Sequence, residues 1–243
     1  MVKSISCFGL RMSESSYYQE YARSVIEDFS NRGEDAKNLL VDSVNELPAA
    51  RVLDIGCGPG QEMLSFAQKK NSFCVGIDIG DELGKIGPPF AEQFGCSRRV
   101  KFVQGIGEEL PFRSESFDVV LCRVALPYMD NKKTIAEVSR VLNPGGVFLL
   151  KTHAAPFYFG MLGNGLLALS PKKTAYPLIC LFIGMWHLLT GKQLRNGFWS
   201  GKEVFQTEGF LKKEFSKHGL KIEFELKDTN RQTPSYFVVK SSK

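Results

Sequence analysis

The sequence predicts an α/β fold in which a mostly parallel sheet is covered by helices, and three observations predict it. An apolar run carrying an acid, Val52-Leu53-Asp54-Ile55, is followed by glycines at 56, 58 and 60 and then by the helix-like Gln61-Glu62-Met63-Leu64. Short apolar runs and helix-like stretches alternate from Arg51 to Lys151, the pattern of helices crossing between parallel strands. Two strand-like runs, Leu220–Leu226 and Ser235–Val239, close the chain with only a polar bend between them, which implies an antiparallel pair.

Taken in order, residues 1–12 carry no pattern. From Ser13 the text turns helical: Tyr17, Tyr21, Val25 and Phe29 recur every four residues, Ser13 offers an N-cap, and Gly33 breaks the run. A second helix covers about Asp35–Leu47, and Pro48 closes it. The core then reads as strand Val52–Ile55, helix Glu62–Lys69 and strand Phe73–Ile77 ending in Asp78. A glycine- and proline-rich connection follows, with a short helix around Pro89–Phe94, then strands Val100–Gln104 and Ser116–Arg123. A helix at about Lys132–Val141 and the turn Leu142-Asn143-Pro144-Gly145-Gly146 lead into the fifth strand, Val147–Lys151.

Residues 154–200 break the alternation. Leu178–Leu189 holds no charged residue, yet is shorter than the ~20 residues that span a bilayer. Leu178, Leu181, Phe182, Met185 and Leu189 form one helical stripe, and Ile179, Ile183 and Trp186 cover the other side. A helix apolar all round is expected to be buried or to meet lipid-like material. That leaves peripheral membrane contact open. A last amphipathic helix, Glu203–His218, is ended by Gly219.

The glycine loop brings backbone N–H groups and a helix N-terminus to one point, as nucleotide-binding loops do. A dinucleotide fold places its third glycine one position later, where Gln61 stands, and a phosphate-cradling P-loop needs Gly-Lys-Ser/Thr, which is absent. Asp78 follows Gly60 at close to the offset at which such folds set a carboxylate on ribose hydroxyls, and a carboxylate accepts both protons of a vicinal diol.

The loop spacing, Asp78, Glu108-Glu109-Leu110-Pro111-Phe112 and Asn143-Pro144-Gly145-Gly146, in that order, resemble the motifs of class I S-adenosylmethionine (SAM) dependent methyltransferases over about Arg51–Lys151. The resemblance implies a Rossmann-like seven-stranded sheet with a terminal antiparallel pair. It divides the chain into an N-terminal helical cap (1–48), a SAM-binding core (49–153), a helical insert or lid (154–200) and a C-terminal completion of the core (201–243). It implies SAM contacts from Asp54, Gly56, Cys57, Gly58, Pro59, Gly60, Asp78, Ile79, Ile106, Gly107, Glu108, Cys122 and Arg123. Where the family commonly sets an acid against the adenine amine, this chain has Ile106, leaving an apolar wall and the backbone of Gly107 and Glu108. The Asp/Asn-Pro-Pro-Tyr/Phe signature of nucleobase amino-methylation is absent after the fourth strand, which weighs against a nucleic-acid substrate.

Because the sulfonium methyl is already electrophilic, alignment of the acceptor carries much of such a reaction. His153, at the carboxyl end of the fifth strand, is the candidate base. Tyr128 and Arg123 are candidates to orient substrate, and Tyr17, Tyr21, Tyr158 and Trp186 to contact it. The expected activity is methylation of a hydroxyl, amine or carbon on a small, apolar or aromatic acceptor. The alternative is a SAM-fold binding protein, or a SAM-using enzyme, that transfers no methyl.

Composition sets outer bounds. A net charge of +5 with dispersed Lys and Arg gives no nucleic-acid footprint. Six cysteines without a Cys-x-x-Cys pair read as buried thiols, not as metal ligands. With no N-terminal apolar run long enough for a signal peptide, a cytoplasmic protein is expected, and no feature fixes an oligomeric state.

Overall fold

A computed structural model describes residues 14–47, 49–80 and 83–242, apart from the side chains of 14–18 and 83–84. Ser13, Pro48 and the side chain of Tyr17 lie outside the described residues.

Two helices, α1 (Glu14–Asn31) and α2 (Glu34–Ser43), precede the sheet. The core runs β1 (Arg51–Ile55), α3 (Gln61–Lys69), β2 (Phe73–Asp78), α4 (Leu83–Gln93), β3 (Val100–Gln104), β4 (Phe117–Arg123), α5 (Asn131–Val141) and β5 (Leu142–Lys151). A helical hairpin, α6 (Ala155–Leu167) and α7 (Pro171–Thr190), is followed by α8 (Glu208–Lys217), β6 (Leu220–Glu225) and β7 (Ser235–Lys240). The strands form one seven-stranded sheet in the order β3-β2-β1-β4-β5-β7-β6, with β7 antiparallel to both neighbours. This is the Rossmann-like sheet with a terminal antiparallel pair that the sequence predicts. Strand order reverses between β1 and β4, so a crevice opens at their carboxyl ends.

The parallel strands are buried on both faces, which is why they read as apolar runs. Successive residues point to opposite layers. Val52, Leu121 and Leu149 pack with Phe29, Val41, Phe66 and Phe90 from α1 to α4. Leu53, Val120 and Phe148 pack with Ile135, Val138, Leu211 and Phe215 of α5 and α8.

Three elements differ from the sequence expectation. β5 begins at Leu142, not Val147: Phe117 pairs with Leu142, and the register slips before Val119 meets Val147. The Asn-Pro-Gly-Gly turn is thus an irregularity within the strand. α4 starts at Leu83 and carries Pro88 and Pro89 inside it. α8 starts at Glu208, where the Thr207 hydroxyl accepts the Phe210 N–H at 3.2 Å, and not at Glu203. Residues 203–206 instead run as a buried strap, with Val204 N–H bonded to the Pro127 carbonyl and Gln206 N–H to that of His153. Over one turn, apolar spacing does not separate such a strap from a helix.

The hairpin also departs from expectation. α7 buries Pro177, Cys180, Ile183, Gly184 and His187, whereas Leu178, Phe182, Met185, Trp186 and Leu189 are exposed. Among the described residues no helix is long and apolar enough to cross a membrane.

Gly184 sets how closely α7 approaches the strap. A Cβ there would lie 2.1 Å from Phe205 Cδ1 and 2.9 Å from its Cγ, and Phe205 is itself buried. Gly184→Ala is therefore expected to cost about 1–3 kcal/mol in urea unfolding. Gly163→Ala, with nothing within 4 Å of its added Cβ, should be neutral or stabilising.

Candidate cofactor and acceptor site

The site is built where β1 ends. Gly56 turns the chain at φ +70°, and its N–H donates to the Ile77 carbonyl at 2.8 Å. A Cβ at this position would fall 2.3 Å from Ala125 Cβ, so only glycine lets the loop after β4 close against it. Gly58, at φ +50°, donates its N–H to Asp78 Oδ2 at 2.9 Å. A Cβ here would meet Tyr21 Cε1 at 3.8 Å, an ordinary van der Waals contact, so the positive φ and not crowding is what favours glycine. Asp78 Oδ1 accepts the Gly80 N–H at 3.0 Å. One acid thus ties the loop after β1 to the turn after β2, and each of its oxygens keeps acceptor capacity for a ligand hydroxyl.

A cavity of about 510 Å³ lies between α1, α2 and the carboxyl ends of β1 and β4, bounded among others by Tyr21, Asp54, Gly56, Glu62, Arg123 and Asp228. Asp54 is buried, and burial, then the nearby Glu62 and Asp78 carboxylates, push its pKa well above the usual carboxylate range against the pull of Arg123. The Oε1 of Gln61 is buried with no hydrogen-bond partner. These observations fit SAM, whose sulfonium and ammonium charges suit a carboxyl-lined cavity and whose polar groups could meet an unpaired amide oxygen.

Val124, the residue after β4, holds φ +58°, a strained conformation for a β-branched side chain, while its N–H donates to the Lys151 carbonyl at 2.8 Å. Strain of this kind collects where neighbouring structure fixes a functional edge. Arg123 donates to Ser235 Oγ at 2.7 Å and pairs with Asp228, which also binds Lys151 Nζ at 2.8 Å. Arg123 therefore lines the cavity with its charge already shared, not as an unshared anion receptor. Burial opposes the Asp228 charge, but Arg123 and Lys151 together hold its pKa below the usual value.

Of the other expected cofactor residues, Cys57 lines this cavity, whereas Gly58, Pro59, Gly60, Asp78, Ile79, Ile106, Gly107, Glu108 and Cys122 lie outside its lining. Cys57 and Pro59 are buried in the loop and Ile79 is exposed beyond Asp78. Burial raises both thiols of this region, Cys122 to about 12. Ile106 bridges to Glu109 and is 41% exposed, a surface an adenine could cover. A Cβ on Gly107 would lie 2.8 Å from Met129 Sδ. The Glu108 carboxylate is engaged, accepting the Asp130 N–H at 2.8 Å and pairing with Arg195 at 3.2 Å.

A second polar centre sits at the end of β5. His153 Nδ1 lies 2.6 Å from Glu203 Oε2, and the ring stacks on Phe157 at 3.9 Å between centroids. Glu203 also accepts the hydroxyls of Tyr158 at 2.9 Å and Tyr176 at 2.8 Å. Burial opposes its charge, yet His153 and the two phenols hold its pKa below the usual range, so the carboxylate accepts and Nδ1 donates. Tyr158 is fully buried, which gives it a bracing position and no exposed face for an acceptor. Trp186 sits on the outward side of α7 at 41% exposure, opposite the face that helix buries. Tyr128 is half exposed beside the cofactor loop, its carbonyl accepting from Arg195 at 3.0 Å. Sequence reasoning missed Gln61, Glu62, Asp228 and Glu203. Gln61 and Glu62 adjoin the glycines and could have been found there. Asp228 and Glu203 carry no local signal.

Strand order and the antiparallel terminal pair define a Rossmann-like fold. Residues 53–150 match the family model of a methyltransferase domain. The uncharacterised methyltransferase YcgJ of Bacillus subtilis is 39% identical over 51% of this chain and 48% of its own length. A crystal structure of YcgJ shares the fold, with a TM-score of 0.56 over 85% of this chain and 96% of that one at 22% identity. Sterol 24-C-methyltransferase ERG6B of Gibberella zeae is 30% identical over 56% of this chain and 36% of its own length. The ubiquinone/menaquinone biosynthesis C-methyltransferase UbiE of Wigglesworthia glossinidia brevipalpis is 30% identical over 50% of each. Over residues 53–150 the chain is thus similar to the methyltransferase domains of these proteins, and it spans half or less of the length of these curated relatives.

Ionised Asp228, with a folded pKa below the unfolded one, stabilises the fold above the unfolded value, and that contribution is lost as pH falls through the folded one. Asp228→Asn should cost about 1–3 kcal/mol near neutrality. In urea unfolding from pH 7 to pH 3, the gap between variant and parent should close toward the acid end.

Proposed function

We propose that this protein transfers a methyl group from SAM to a small, apolar acceptor. The observation that carries the reading is the glycine loop, tied by its Gly58 N–H to Asp78, beside the cavity that Gly56 and Cys57 line. When bound, SAM supplies an electrophilic methyl on a sulfonium centre. Asp78 would accept hydrogen bonds from the two ribose hydroxyls, and the Glu62 carboxylate at the cavity wall would favour its positive charges. Exposed Ile106 and the backbone of Gly107 and Glu108 would hold the adenine. Cys57 lines the cavity wall.

The chain's own work is then to orient and to exclude water, which can contribute up to about 7–11 kcal/mol in favourable intramolecular cases. Tyr21 on α1 covers the crevice, and Arg123 with Tyr128 bounds the acceptor side. His153 takes the acceptor proton on Nε2, while Glu203 positions the ring through Nδ1. An apolar acceptor is supported by the relatives named for sterol and ubiquinone/menaquinone C-methylation. Cys57, Cys74, Cys96, Cys122 and Cys180 are buried free thiols, which supports a reducing, cytoplasmic setting.

Asp78→Ala should weaken SAM binding by about 1.5–3 kcal/mol, the range for a hydrogen bond to a charged group, and should also lower the melting temperature, because the Gly58 and Gly80 N–H groups lose their acceptor. Calorimetry showing equal affinity would overturn the assignment of the cofactor site. Release of S-adenosylhomocysteine by the parent protein with a mixture of apolar acceptors tests transfer itself, and its absence favours a SAM-binding protein that moves no methyl.

A further inference from the structure

We propose that the outward face of the α6–α7 hairpin seats this protein on an anionic lipid surface. The inference is independent of the methyl-transfer reading.

The helix α7 is turned inside out relative to an ordinary surface helix, whose water side is polar. Its outward stripe is Leu178, Phe182, Met185 and Leu189, exposed by 49%, 54%, 48% and 78%. Leu167 and Leu169 at the hairpin tip, at 86% and 89%, and Phe159 on α6, at 60%, extend the apolar surface. Beside the tip a shallow groove of about 440 Å³ runs between Leu166, Leu169, Pro171, Ala175 and Leu178. Such a groove can take an acyl chain.

Charge identifies the occupant. Between Ala154 and Lys202 there is no Asp or Glu, and the charged residues are Lys172, Lys173, Lys192, Arg195 and Lys202. The whole chain has a formal net charge of +5, so this segment accounts for all of it and the remainder balances to zero. Exposed Lys172 opens α7 and exposed Lys192 follows its end, so cations flank the apolar stripe at both ends. An exposed apolar face bordered by cations and free of acids is the pattern of a helix lying in a membrane interface, where basic residues are drawn to anionic headgroups. A second copy would cover the apolar stripe but would bring two all-cationic hairpins together. The hairpin is anchored to the site side by Lys132 Nζ on the Gly191 carbonyl at 2.7 Å, Gln193 Nε2 on the Met129 carbonyl at 3.0 Å, and the Arg195–Glu108 pair. Docking therefore holds the cofactor crevice in a fixed relation to the lipid.

Sedimentation of the full chain with phosphatidylcholine vesicles, with and without phosphatidylglycerol, tests this. The parent should partition onto the anionic vesicles about tenfold or more better than onto neutral ones, and added salt should release it. Met185→Glu combined with Leu189→Glu should lower partitioning about tenfold or more with the melting temperature and SAM affinity unchanged. Lys172→Glu combined with Lys192→Glu should lower it on anionic vesicles only. Failure of the parent to bind, equal binding to both vesicle types, or undiminished binding by the Met185/Leu189 variant overturns the proposal. So does light scattering that shows a dimer which the same variant dissolves while the parent ignores vesicles.

Discussion

The hydrogen bond from the Gly58 N–H to the Asp78 carboxylate joins the two strand ends between which the site is made. Without it, the loop after β1 would be held to β2 only by the Gly56 and Cys57 amides on the Ile77 carbonyl. The glycines at 56 and 58 permit this because both sit at positive φ, and Gly56 also lets Ala125 approach. Sheet order then does the rest. The β1–β4 reversal leaves the crevice open directly beside that loop, and α1 lies over it with Tyr21.

Two buried carboxylates extend the same logic outward. Asp228 draws Arg123 and Lys151 together across three strands and joins the β6–β7 connection to the carboxyl edge of the sheet. Glu203 gathers His153, Tyr158 and Tyr176 and so fastens the hairpin to the end of β5. Each is a charge taken out of water and kept ionised by its partners, so each fixes the relative position of elements far apart in sequence. The hairpin, by contrast, spends its apolar residues on both sides. One side packs on the core through Cys180, Ile183 and His187, and the other is presented outward.

What could be read in the sequence follows from range. The glycine loop, Asp78 and the first four parallel strands are local patterns with fixed periods, and they emerged in place within a residue or two. Leu142–Gly146 was misread because a bulge keeps those residues paired in β5 while their sequence spells a turn. Glu203 was assigned to a helix because an apolar strap of one turn has no period of its own, and its role depends on partners up to 50 residues away. Asp228 stood in a polar bend with nothing nearby to mark it, its partner Arg123 being 105 positions distant. Tyr158 and Trp186 were chosen as aromatic residues in an apolar segment, but only packing decides that one ring is interior and the other outward.

Methyl transfer by this chain requires SAM to bind at the glycine loop and Asp78. Amide hydrogen exchange of the parent protein with and without saturating SAM tests that most directly. Protection is predicted at the amides of 56–58, 60, 78–80 and 105–108, with the outward side of α7 unchanged. Exchange unaltered at those amides, or protection confined to other elements, would contradict it.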